Sequence, residues 1–301
     1  MARTGAVFPL VPRRRVEGAP FGDRPSRRRG RGTDVAGSRP YVPGDPVAAI
    51  DWYASARVSS ARASEEFLVR ERFADEAPAV VVVRDRRPEM ALYASPLPWL
   101  SKPMAAEAAQ RAIVASARAA RADVGYVDGS EWLGAGGRGQ YRRAEERSSG
   151  VAFDAPPDGL ERALRVLLRH RAGLAAGAFV FLLSDFLAPP SSDTWRRLRS
   201  LRWDVVPVVI QDPVFEQSFP VLPHVVVPVA DPATGRVREV RLRRSTSAEL
   251  RRRHERRLAD LLRDLRRRGH DPVLLGTSDP VEVLAAFLAW AGRRERIRGR
   301  R

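Results

Sequence analysis

The chain has 301 residues, 44% of them hydrophobic, with 53 basic and 36 acidic side chains and a formal net charge of +17. That length and apolar content suit a globular core and one or two domains. There is no cysteine, which excludes disulfides, zinc–thiolate centres and cysteine nucleophiles.

Residues 1–35 are rich in Arg, Gly and Pro, lack an apolar period and read as a flexible basic tail. Within it, residues 13–31 hold eight arginines against two acids. The opening MARTGAVFPLVPRRR places its charge after a short apolar stretch, so no signal peptide is expected. Residues 36–77 form a compact segment rich in turn formers and aromatics. Pro43-Gly44-Asp45 signals a turn, and Phe67, Val69 and Phe73 suggest a strand.

From residue 78 to 292 strands alternate with helices. Ala79–Arg84 is a continuous apolar run, as expected of a strand buried on both faces. A helix at 105–121, a strand at 124–127 and an edge strand within 131–143 follow. The next helix, 160–169, takes Asp158 as its cap with Glu161 completing the box. A strand at 179–184, a helix at 194–201 and a strand at 203–210 continue the alternation. The longest apolar run, Leu174 to Leu183, falls far short of the ~20 residues that span a bilayer, so a soluble, cytoplasmic protein is expected.

The alternation then breaks. Two valine-rich runs flank Asp231-Pro-Ala-Thr-Gly235, which predicts a hairpin at about 222–243. A long helix is expected at 247–268, boxed by Thr246 and Glu249, with Leu250, Leu258, Leu261, Leu262 and Leu265 on one stripe and Gly269 as its stop. A last strand, 272–275, leads to a final helix opened by Asp279-Pro280-Val281-Glu282. Residues 293–301 read as a second basic tail, with six arginines against one acid. Strands alternating with helices predict an α/β fold: a doubly wound, mostly parallel sheet of Rossmann-like type with an inserted hairpin.

Common catalytic signatures are missing. There is no phosphate loop and no nucleophile elbow. Gly134-x-Gly136-x-x-Gly139 neither follows a convincing strand nor opens a clear helix, so no cofactor is expected. His170, His224, His254 and His270 lack ligand spacing, and His254 falls on the apolar stripe of the long helix. The arginines of that helix fit a solvated face with i,i+4 pairs to Glu255, Asp260 and Asp264, or contact with a polyanion. No aromatic or amide stands beside them for base recognition.

Arg39-Pro-Tyr41-Val-Pro43-Gly44-Asp45, then Ile50-Asp51-Trp52, then Ser55-Ala56-Arg57 resemble the signature of the domain-of-unknown-function-58 (DUF58) family. Phe67-Leu-Val-Arg-Glu71, Leu183-Ser184-Asp185-Phe186, Asp212-Pro213-Val-Phe-Glu216, Asp231–Gly235 and Gly276–Asp279 follow in family order, over roughly residues 30–292. The resemblance implies a von Willebrand factor A-like domain after an N-terminal signature segment. It also implies a working partner, a MoxR-type AAA+ ATPase, in a chaperone-like or assembly system.

Domains of that type often hold a divalent cation through Asp-x-Ser-x-Ser, supported by a later Asp. Here the matching stretch is Asp85-Arg86-Arg87-Pro88-Glu89, with Asp185 at the late aspartate. Arg87 and Glu89 replace the two serines, and a guanidinium has no acceptor to offer a metal. A degenerate site without metal is expected, with Arg87 pairing with Asp85 or Asp185. A non-enzymatic interaction module follows from this reading. Two alternatives stay open: a basic nucleic-acid-binding protein on the same fold, and acid/base chemistry at Asp85, Glu89 and Asp185. Anionic lipid is a further non-specific partner for the basic tails.

Overall fold

The computed structural model describes residues 7–13, 24–29, 35–42, 47, 50–62, 67–76, 79–92, 100–137 and 139–299. They fall into two compact units, Arg14–Pro78 and Met1–Arg13 with Ala79–Arg301.

The smaller unit is an antiparallel three-stranded sheet with one helix. Strands β1 (Arg24–Arg29) and β2 (Val35–Pro40) flank β3 (Leu68–Glu76), and α1 (Trp52–Arg62) precedes β3. Strand β1 lies within the stretch read as a flexible basic tail.

The larger unit carries a six-stranded sheet. Its strands are β4 (Ala79–Arg84), β5 (Asp123–Val127), β6 (Trp132–Leu133), β7 (Phe179–Ser184), β8 (Asp204–Ile210) and β11 (Val273–Leu275). Their spatial order is β11-β8-β7-β4-β5-β6; all neighbours are parallel except the short edge strand β6. Counted within this sheet, that is the order 3-2-1-4-5-6 of a doubly wound fold. β4 sits in the middle, and Val80 to Val83 are fully buried because helices cover both faces.

On one face Val81, Val83, Val180, Leu182, Val205 and Val209 pack against α4 (Gly159–Arg169) and α5 (Ser192–Ser200). The other face takes α2 (Lys102–Ala119) and α7 (Pro280–Gly299), with α3 (Gln140–Glu146) beside β5. There the aromatic cluster Phe181, Phe287 and Trp290 closes around Phe8, whose ring stacks on Phe287 at 4.5 Å. Strands β9 (His224–Ala230) and β10 (Val237–Arg243) form a separate two-stranded hairpin that leads into α6 (Arg244–Arg267).

Several local expectations need correction. Phe8, Leu10 and Val11 belong to the core rather than to a flexible tail. The second basic tail is helical as far as Gly299, and Arg294 in it is buried, pairing with Asp204 at 2.8 Å and Asp271 at 3.2 Å. The edge strand expected within 131–143 is there as the two-residue β6, and the rest of that stretch is loop and α3. Asp158 stands at the cap of α4, but its carboxylate accepts from Arg162 Nε and makes no capping bond to the helix backbone. Glu161 accepts from Ser191 and Thr194 on α5. Helix α6 starts at Arg244, so Thr246 lies inside it. Buried Ser247 uses its hydroxyl to join Leu222 N and O with the first turn. The Asp279 cap does form: its Oδ1 accepts from Val281 N and Glu282 N. No helix among the described residues is long and apolar enough to cross a membrane.

Candidate functional site

In a doubly wound sheet the chain leaves the central strands in opposite directions, and the crevice at their carboxyl ends is where ligands bind. Here that crevice lies between β4 and β7. Asp85 follows the last residue of β4 and Asp185 the last of β7. The two ends are stitched by Asp85 N donating to Leu183 O at 3.0 Å.

Arg87 fills the space between the carboxylates. Its backbone N–H donates to Asp85 Oδ1 at 3.0 Å, and its Nη2 to Asp85 Oδ2 at 2.7 Å and Asp185 Oδ1 at 2.6 Å. Its Nε lies 3.0 Å from Asp85 Oδ2. Ser184 Oγ also donates to Asp85 Oδ2, and Leu187 N to Asp185 Oδ1. The side chain of Arg87 passes the start of α4, where a Cβ on Gly159 would stand 3.3 Å from its Cγ and 2.9 Å from Ala155 Cβ. A larger residue there would crowd the guanidinium.

Lys102, the only lysine in the chain, completes the cluster from the first turn of α2. Its Nζ donates to Asp185 Oδ2 at 3.1 Å, to the Glu89 carbonyl at 3.1 Å and to Glu216 Oε1 at 2.5 Å. A cation at a helix N-terminus opposes the macrodipole. Full burial removes its hydration as well. The Asp185 and Glu216 carboxylates, with the Glu89 carbonyl, offset both costs. Glu216 Oε2 in turn accepts from Asp212 N at 2.9 Å. Gln211 Nε2 holds the Asp185 carbonyl at 2.6 Å.

The cluster sets three carboxylates against two cations, with Asp85, Asp185 and Lys102 fully buried. Burial opposes the charge of Arg87, yet Asp85 and Asp185 hold its pKa above the ordinary guanidinium value. Burial likewise pushes Asp185 up, but Lys102 and Arg87 outweigh it and keep the carboxyl below the usual range. Glu216 goes the other way: burial raises its pKa and Lys102 offsets this only in part. The Asp185 carboxylate adds a smaller push in the same direction as burial.

These residues do not fit a divalent cation. The oxygens a metal would need are already met by the Arg87 guanidinium and the Lys102 ammonium, and neither cation can be a ligand. Among the described residues no three His, Asp or Glu side chains are grouped to hold a metal ion. Glu89 stands at the rim, with its carboxylate 4.0 Å from Arg87 Nη1 and its Oε2 without a hydrogen-bond partner among the described residues.

The signature residues lie in the other unit. Arg39 pairs with Val69 across β2 and β3, Ile50 bridges to Val69, and Tyr41 N donates to Phe67 O. Asp51 starts α1, its Oδ1 accepting from Ala54 N at 3.1 Å. Buried Ser55 donates to Asp51 O and accepts from Leu68 N, locking α1 to β3. Arg57 lies over the Tyr53 ring at 6.0 Å. Trp52 is 60% exposed and meets Phe67 edge-on, so it is no core anchor. Pro43, Gly44 and Asp45 lie outside the described residues.

Sequence reasoning missed Lys102 and Glu216. The signals were present: a lone lysine among 53 basic residues, and a glutamate closing the Asp212–Glu216 motif.

The sequence matches the profile of the family described as protein of unknown function DUF58 over residues 37–261, more than half of the chain. No curated protein matches. Two solved structures are similar in part. One is described as a conserved hypothetical protein BatB from Bacteroides thetaiotaomicron, with 13% identity, a TM-score of 0.43, and coverage of 73% of this chain and 100% of that one. The other is an aerotolerance-related membrane protein from Bacteroides fragilis NCTC 9343 with multiple mutations to serines. It shows 12% identity, a TM-score of 0.41, and coverage of 72% and 100%.

Proposed function

The chain belongs to the DUF58 family, and on that premise we propose that it is a non-enzymatic interaction module. In this proposal its partner is a MoxR-type AAA+ ATPase, its crevice is a degenerate cation site of von Willebrand A type, and its location is cytoplasmic. One observation carries the reading. At the switch point, where this fold offers its ligand crevice, the charged groups are spent on one another. A catalytic carboxylate needs access to substrate and a pKa suited to proton transfer. Asp85 and Asp185 are fully buried and bound to Arg87, and Lys102 is held by Asp185 and Glu216. The ATPase itself rests on the family resemblance and supplies the energy in this reading.

The signature segment supports a docking role. Trp52, Tyr53, Val42, Val47 and Phe67 are between 44% and 75% exposed, an apolar display beyond what a small antiparallel sheet needs for its own stability. Affinity capture from the native cell, with and without ATP, tests the reading. Recovery of an AAA+ protein, lost with Trp52→Ala and Tyr53→Ala together, is the expected result. Recovery that ignores both substitutions would remove the signature from the interface, and no AAA+ protein under either condition would overturn the partner.

A further inference from the structure

We infer that the outer face of α6 is a sequence-independent binding surface for the phosphate backbone of duplex nucleic acid. Helix α6 has 24 residues, with nine arginines against four acids. At about 100° per residue, Arg252, Arg256, Arg263, Arg266 and Arg267 share one arc of roughly 100°. Leu250, His254, Leu258, Leu261 and Leu265 fall opposite and face the protein. Buried Leu265 is in the core, and His254 Nδ1 is 3.0 Å from the Ser218 carbonyl. The arginine arc is therefore the solvent side, held by a rigid packed helix.

Several exposed arginines elsewhere pair with a nearby acid, as Arg118 does with Glu145 and Arg142 with Glu146, but part of this face does not. Arg263 and Arg267 pair with Asp260 and Asp264. Arg252, Arg256 and Arg266 on the arc, and Arg253 at its flank, are exposed and form no ion pair among the described residues. The arginines fall into two groups, 252–256 and 263–267, with centres about 17 Å apart along the axis. That spacing suits contacts to the phosphates on either side of a major groove about 12 Å wide.

Chemistry selects among polyanions. An anionic membrane would engage an amphipathic helix through an apolar face, and the leucines of α6 are turned inward. A protein interface would want aromatic anchors, and α6 has none. Regularly repeated phosphates need only arginines, and the absence of base-reading groups makes the binding indifferent to sequence.

The test measures anisotropy of a labelled 24-base-pair DNA duplex of mixed sequence against the full chain, from 50 to 200 mM salt. Three proteins are compared: wild type, the variant R252Q/R253Q/R256Q/R266Q, and a control R118Q/R142Q/R162Q/R196Q that removes equal charge elsewhere. The expected result is binding whose salt slope falls by about 3 to 4 in the first variant. The control keeps the larger part of that slope, and a second duplex of unrelated sequence binds equally. Equal weakening in both variants would assign the effect to net charge and overturn the inference. So would an unchanged slope in the first variant, or binding to phosphatidylglycerol vesicles without binding to the duplex. Circular dichroism melts confirm that the variants remain folded.

Discussion

The switch-point crevice and helix α6 use positive charge in opposite ways. In the crevice two cations are buried between three carboxylates, and each makes several hydrogen bonds of fixed direction. On α6 nine arginines line a helix, and those that pair do so with neighbours three or four residues away. Composition does not separate the two groups; solvation does. A buried ion loses its water, so removing its partner leaves a large uncompensated penalty. An exposed pair is screened and gives little. A basic side chain in this protein is therefore structural inside the crevice and available for interaction on α6.

The sharpest way to break the comparison is Lys102→Met. It leaves Asp185 and Glu216 buried without their ammonium, and a loss of about 3–5 kcal/mol is expected by urea unfolding. A loss below about 1 kcal/mol would place Lys102 among the surface charges.

His270 extends the rule beyond the cluster. Burial lowers its pKa from 6.5 to about 4, with Arg13, Asp204 and Arg268 nearby. The folded state keeps the imidazole neutral while the unfolded chain takes up a proton. Its contribution to stability is thus whole above pH 6.5 and is lost as the pH falls from 6.5 towards about 4. The loss is on the order of 3 kcal/mol. Unfolding curves at pH 7.5 and 4.5 should converge in His270→Gln relative to wild type; equal pH dependence in both would refute the assignment.

Glu216→Gln is expected to be milder than Lys102→Met. Its single amide oxygen can accept from Lys102 Nζ or from Asp212 N but not from both, since the carboxylate gives Oε1 to one and Oε2 to the other. One buried donor loses its partner, and a loss of about 1–3 kcal/mol at neutral pH is expected. A loss as large as that of Lys102→Met would mean that the carboxylate charge itself holds the site. The smallest effects belong to Arg263→Gln and Arg267→Gln, each under about 0.5 kcal/mol and smaller still in high salt.

Much of the architecture was legible because it follows local rules. A valine run such as Val80–Val83 tells of a strand buried on both faces, and Asp231–Gly235 of a hairpin turn. Asp85, Arg87 and Asp185 were legible through the resemblance to the Asp-x-Ser-x-Ser motif, which sets them at neighbouring strand ends. Lys102 and Glu216 were not. They reach the crevice from the start of α2 and the loop after β8, and nothing local in sequence says that two such groups meet. Phe8 failed for a similar reason. Its surroundings are basic and Pro-rich, so composition spoke for a tail, while its partners Phe287 and Trp290 lie at the far end of the chain. Arg294 was hidden by the same averaging over a charged stretch.

The most direct test titrates Mg²⁺ into the metal-stripped chain while following its melting temperature, with Arg87→Ser in parallel. If a guanidinium and an ammonium occupy the crevice in place of a cation, the wild-type temperature stays flat from EDTA to millimolar Mg²⁺. A saturable rise in the wild-type protein would contradict the account.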